Sequence, residues 1–319
     1  MTQSNAGRLP PSNQNSTRST RSPVQPAGST GSLAPYLYLA PIAFLLLLFT
    51  YWPLIFTGFL SFVRWNLIAD KMPFVGMKNY VDLWNSTLFQ AALRNTAIYV
   101  VASIPLKVLL PLPIAVFLWC NFGRSGPIYK AIIFLPTILS FVVVAIAAAW
   151  ILNPYIGIVT EILQRLTGVG LPLLLGSSSG AIWAILGIST WKIIGFNMLL
   201  YLAGLASIDR EYIDAMRIDG ASDWRLFRHL IWPLLTPTTF FVLIFTVIFS
   251  LYQVFTPIDL LTQGGPSNST TNLFYVVYQF AFLTFNIGMG SAGAVILFVV
   301  LGAITIFQIR VIERRVHYN

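Results

Sequence analysis

Six stretches of this chain are apolar for long enough to cross a bilayer, at roughly 36–62, 95–119, 131–152, 181–205, 237–257 and 289–311. A helix needs about 20 apolar residues for that crossing. Lipid offers backbone groups no hydrogen bonds, so only helices and closed barrels span it. A barrel strand alternates polar and apolar residues, whereas these runs are continuously apolar, which selects an all-α, polytopic fold. Only 9% of residues are charged and 56% are hydrophobic. A soluble chain of 319 residues needs far more surface charge.

The charge that is present sorts by side. Twelve basic residues fall with the N-terminus (Arg8, Arg18, Arg21), the 120–130 connection (Arg124, Lys130), the 206–236 connection (Arg210, Arg217, Arg225, Arg228) and the C-terminus (Arg310, Arg314, Arg315). Five fall on the other side: Arg64, Lys71, Lys78, Arg94 and Arg165. The positive-inside rule then puts both termini in the cytoplasm. The net charge of +9 is dispersed between apolar runs rather than gathered in a patch, so it orients the chain and gives no reason to expect nucleic acid. Residues 1–34 are rich in Ser, Thr, Asn, Pro and Gly and hold no acid, the composition of a disordered cytoplasmic tail. The folded region is expected over 35–315, with a short cytoplasmic tail at 316–319. The single cysteine, Cys120, excludes an internal disulfide framework and a multi-cysteine metal site, and reads as a small buried hydrophobe.

One connection breaks the pattern. Half of the ten acids lie between Asp209 and Asp223, mixed with four arginines. Glu211–Asp219 reads as a short helix with an apolar stripe of Tyr212, Ala215 and Met216. Gly220 stops it, in the left-handed conformation that glycine adopts beyond a helix end. Ser222 is placed to cap a second helix, along which Trp224, Phe227, Ile231 and Leu234 fall at near-helical spacing as a face to bury. Pro233 and Pro237 bend the chain into span five. Such an element fits either a groove on a soluble partner or the membrane surface.

Polar groups within the spans mark a second kind of candidate. Lys107 and Lys192 sit near the middles of spans two and four, and no Asp or Glu lies in the body of a span to pair with them. Ionisable groups at that depth face a cavity or a partner. Lys192, Asn197, Tyr252 and Gln253 are the candidate substrate pathway. For Lys192 the rival role is structural, as a cation–π contact with Trp191 or another aromatic, or a hydrogen bond to backbone. Asp259, Gly264, Gly265 and Pro266, beyond span five, read as turn chemistry or as a docking point for a binding protein.

The segment DAMRIDGASDWRLFRHLIWPLL resembles the EAA loop of permease subunits of ATP-binding-cassette importers. Asp214-Ala215-Met216 stands for Glu-Ala-Ala, Gly220 is the glycine, and Leu230-Ile231-Trp232-Pro233 closes the motif. FVGMKNYVDLW, ALRNT, WKIIGFNMLLYLAGLASI and LTQGGPSNSTTNLFYVVYQFAF are similar to carbohydrate-uptake permeases. RVIERRVHYN is most similar to the first permease subunit of glycerol-3-phosphate importers. The resemblance implies a bacterial inner-membrane protein with six spans and an EAA-type coupling helix between spans four and five. It implies that Glu211, Asp214, Ala215, Met216, Arg217, Asp219, Gly220, Ala221, Phe227 and Pro233 couple to the motor. The implied partners are a second, homologous permease subunit, two copies of an ATPase and an extracytoplasmic solute-binding protein. ATP and Mg would sit on the ATPase, with no cofactor or metal on this chain.

The residues agree with that division. The chain has no G-x-x-x-x-G-K-[ST] phosphate loop, since GSSSG at 176–180 lacks the lysine, so no ATP hydrolysis is expected of it alone. It also lacks the mid-membrane acids of a proton-driven carrier. Glycerol-3-phosphate or a related polyol phosphate or carbohydrate is the expected solute. A neutral oligosaccharide or glucoside is the alternative within the class. A stand-alone channel or secondary carrier, or a membrane anchor for a signalling partner, are the rivals outside it.

Overall fold

The computed structural model describes residues 34–121, 126–167 and 174–312. The tails expected at 1–34 (Ala34 apart) and 316–319, together with Arg124, Arg314 and Arg315, lie outside the described residues. Contacts divide the chain into Met1–Trp52 and Pro53–Asn319. In the first unit the helix Ala34–Leu46 runs into a wide π-helical turn, Leu47–Tyr51. The second unit holds the bundle and every site discussed below.

Five helices are long and apolar enough to span a membrane: Tyr36–Leu60 (span one), Thr87–Asn121 (two), Gly180–Ala206 (four), Thr236–Thr262 (five) and Ile287–Arg310 (six). Span three is a bent pair, Gly126–Ile138 and Phe141–Ile151, turning by 98° at the break. The sequence reading took it as one straight helix. The break follows from local chemistry: Pro136 lies two residues before the end of the first half, and the Ser140 hydroxyl caps the second half by accepting from the Val143 amide at 3.2 Å. Span two begins eight residues earlier than expected and passes Pro105 through a π-helical turn, Ile104–Leu109, in which the Leu110 amide reaches the Pro105 carbonyl at 2.9 Å. The wide turn thus gives a bonding partner to one of the groups the prolines disturb.

Lipid tails are as apolar as leucine, so association of spans relies on close packing and hydrogen bonds. The tightest approach joins spans three and four. A Cβ on Gly195 would lie 2.3 Å from the Ile133 carbonyl oxygen and 2.7 Å from the Phe134 Cα, so only glycine fits there. Three buried clusters complete the core. Leu112, Leu118, Tyr201, Leu205 and Val242 fill one end. Tyr99, Ile185, Leu251, Val254 and Tyr275 fill the other half. Leu83, Phe89, Leu273 and Ala292 join the short helix Lys78–Trp84 to span six.

Candidate functional site

Between spans four and five the chain makes the helix–glycine–helix anticipated from the sequence. The first helix is Arg210–Ile218. Gly220 follows at φ +73°. The Ala221 amide bonds the Met216 carbonyl and the Gly220 amide bonds the Arg217 carbonyl, both at 3.0 Å. That pair of bonds is the Schellman closure, which needs a left-handed residue at this point. The Ser222 hydroxyl then accepts from the Arg225 amide at 3.4 Å and starts the helix Asp223–Leu226.

The second helix presents a different face from the expected one. A π-helical turn, Phe227–Ile231, intervenes before Trp232–Leu234. The wider turn rotates everything after it, so Leu226, Ile231 and Leu235 are buried. Trp224 and Leu234, expected inside with Phe227 and Ile231, are 67% and 48% exposed. In the first helix Ile213 is the buried anchor, with Met216 packed beside it, while Tyr212 and Ala215 of the expected stripe face out. Ile218, which the sequence reading did not single out, is 86% exposed. Ile213, Leu226 and Ile231 belong to the cluster that holds Leu118 and Leu205, so spans two and four fix the loop in place.

Its charges are left available. Asp209, Arg210, Glu211, Asp214, Arg217, Asp219, Asp223, Arg225 and Arg228 are all exposed. None makes an ion pair among the described residues, where the pairs found are Lys78–Asp82 and Glu161–Arg165. A cavity of about 790 Å³ lies between the loop and the end of span two, lined by Trp119, Cys120, Arg210, Asp214, Arg217 and Asp223 among others. One edge of the first helix therefore lines this cavity, and helical geometry puts Glu211, Ala215 and Ile218 on the far side. Cys120 is exposed, not buried as its apolar surroundings in sequence suggested. Ala221 is half-buried and Pro233 exposed.

The four residues expected to line a pathway do not form one group. The Lys107 ammonium, fully buried, donates to the Gln253 side-chain oxygen at 2.9 Å. The Asn197 amide donates to the Lys107 backbone carbonyl. Spans two, four and five are thereby tied through Lys107, Asn197 and Gln253. Lys192 serves elsewhere. Its ammonium donates to the Thr137 carbonyl at 2.9 Å, and the Thr137 hydroxyl returns a bond to the Lys192 carbonyl at 2.8 Å. The same ammonium lies 4.6 Å from the centre of the Phe141 ring, not against Trp191. It sits at the carbonyl end of the first half of span three, where the helix dipole favours a cation. Tyr252 is 57% exposed, its ring edge-on to Phe274 at 6.0 Å.

At the other end of span five, Asp259 accepts from the Tyr275 hydroxyl at 3.3 Å. Burial, with the Asp259 carboxylate beside it, pushes that hydroxyl up to about 12. Gly264 is buried at φ +85°, while Gly265 and Pro266 are half-buried. The segment is held from span two. Asn95 donates to the carbonyls of Asn268 and Thr271 at 2.8 and 2.9 Å, Tyr99 to that of Thr270 at 3.1 Å, and the Thr96 hydroxyl accepts from the Leu273 amide at 3.0 Å. The sequence reading foresaw none of these ties. Among the described residues no cluster of His, Cys, Asp and Glu is arranged to hold a metal.

A six-span helical bundle with a polar helix–glycine–helix seated on one end defines a membrane permease subunit. The chain belongs to the family of binding-protein-dependent transport system inner membrane components, which it matches over residues 86–318. It is 32% identical over 290 residues to the sn-glycerol-3-phosphate transport system permease protein UgpA of Agrobacterium fabrum, covering 90% of this chain and 97% of that one. It is 31% identical to the probable ABC transporter permease protein YurN of Bacillus subtilis, covering 87% and 95%. The fold matches a bacterial ABC transporter involved in import of the acidic polysaccharide alginate, with a TM-score of 0.78, 24% identity, and coverage of 88% of this chain and 95% of that one. This is a multi-pass membrane protein, a non-catalytic permease subunit of an ABC importer of the sugar type.

Proposed function

We propose that the subunit forms half of a pathway for glycerol-3-phosphate or a related polyol phosphate or carbohydrate, driven through the 211–235 loop by a separate ATPase. The observation that carries the coupling is the loop itself. Apolar anchors seat it firmly, yet its nine charges and the exposed Tyr212 and Ile218 are unused within the chain. Unspent charge beside exposed apolar side chains suits a protein partner. In this reading the loop and both termini face the cytoplasm. ATP and Mg are held by two ATPase copies, a second permease completes the bundle, and a solute-binding protein delivers from the opposite side. Glu211, Asp214, Ala215, Met216, Arg217, Asp219, Gly220, Ala221, Phe227 and Pro233 make up the coupling element. Asp259, Gly264, Gly265 and Pro266 form the frame against which the binding protein settles.

The likeness to glycerol-3-phosphate permeases supports the phosphate-bearing solute. The occupied state of both lysines favours a second reading, a neutral oligosaccharide, because each ammonium already has an acceptor within the chain. Purification through a tag on this chain is expected to bring an ATPase with it, and solute movement by the chain alone in liposomes would overturn the coupling. Lys192→Met is expected to depress uptake of labelled glycerol-3-phosphate more than uptake of a neutral disaccharide. Equal losses would make Lys192 a brace for span three and remove the electrostatic argument.

A further inference from the structure

The connection from span three to span four contains a helix that the transport reading does not use, Ile158–Thr167. Its residues separate cleanly by face. At 100° per residue, Ile158, Val159, Ile162 and Leu166 fall on one arc and Thr160, Glu161, Gln164 and Arg165 on the other. The apolar arc is uncovered: Ile158 is 67% exposed, Ile162 52% and Leu166 79%. The polar arc carries its own neutralisation, Arg165 donating to Glu161 at 2.7 Å.

The helix cannot simply roll to hide its apolar side. The Thr160 hydroxyl, on the polar arc, donates to the Asn153 carbonyl at 2.8 Å. The Gly157 amide reaches the same carbonyl at 3.0 Å. The Asn153 side-chain oxygen accepts from the amides of Tyr155 and Ile156 at 2.9 and 3.1 Å. The polar side is thus fastened toward the body of the chain and the apolar side is turned away from it.

We infer that Ile158–Thr167 is an interfacial helix whose partner is the lipid surface of the leaflet opposite the 209–235 loop. Continuity with the membrane face of span three identifies lipid as the occupant. That span ends at Ile151, and its last turn already exposes Trp150 at 65% and Ile151 at 42%. Tyr155 and Ile156, 86% and 69% exposed, carry the same surface around the turn to Ile158. Indole and phenol rings gather where hydrocarbon meets water. Ten residues are too few to span, and the short turn keeps the helix at the depth where span three ends. The helix fixes the height of the outer half of the bent span, Phe141–Ile151, against which Lys192 is lodged.

The test uses the full chain with its co-purifying subunits in phospholipid vesicles, with Cys120→Ser and single spin labels at Ile162→Cys, Leu166→Cys and Gln164→Cys. The labels at 162 and 166 are expected to be open to oxygen, closed to a water-soluble nickel chelate, and about 5–10 Å below the phosphates. The label at 164 is expected to be open to nickel. Nickel access at 162 and 166 would overturn the inference by placing the face in water. Exclusion of both reagents there would overturn it by showing a protein cover. The readout is independent of transport, so it stands or falls separately from the function proposed above.

Discussion

At one end of span five, residues 209–235 hold nine charged side chains with no ion pair among the described residues and are fastened by apolar anchors. At the other end, residues 258–278 carry a single charge, Asp259, and are fastened by hydrogen bonds from Asn95, Thr96 and Tyr99 to named backbone groups. Apolar anchors are indifferent to direction and leave the outer face free to be remodelled by a partner. Amide and hydroxyl ties specify one geometry, and they are costly to break where no water replaces them. The first end is suited to receiving force and the second to keeping its shape.

The largest test of that contrast is Gly220→Val. A Cβ at Gly220 meets no atom within 4 Å, so any damage comes from the positive φ and not from a clash. A left-handed conformation costs an ordinary L-residue about 1–2 kcal/mol and is a genuine outlier for a β-branched one. Transport and coupled ATPase activity should be lost at normal expression, while Gly220→Asn, which tolerates that conformation, should keep most of both. Unchanged uptake by the valine variant would break the contrast at its strongest point. Asn95→Leu comes next. It strands two carbonyls, those of Asn268 and Thr271, and should lower stability by roughly 1–3 kcal/mol per unsatisfied group in a thermal melt of the purified subunit. An unaltered melt would show that the far segment does not depend on span two. The smallest expected change is in Ile218→Ser. At 86% exposure it should leave the melt alone and weaken co-purification of the ATPase several-fold. A lowered melt with undiminished ATPase recovery would mean that this face packs within the subunit.

The sequence was most informative where chemistry is local. Gly220 announces its own left-handed turn and Ser222 its own cap, because each depends on neighbours a few residues away. Span lengths are legible for the same reason. The inward face of Asp223–Leu235 was not, because the π-helical turn at Phe227–Ile231 shifts the periodicity and leaves no composition signature. The partners of the two buried lysines were equally hidden. Gln253 lies 146 residues from Lys107, and Thr137 lies 55 from Lys192. Polarity at depth flags such residues, but only the packing of spans says which polar groups meet. Pro136 and Ser140 did carry a signal for the bend in span three, in a stretch whose uniform apolarity masks it.

Gly195 has a mechanical consequence. With backbone pressed on backbone there and Thr137 and Lys192 exchanging two bonds nearby, spans three and four have neither slack to slide nor room to part. They travel as one plank, so a permeation route that opens and shuts must do so along some other seam of the bundle.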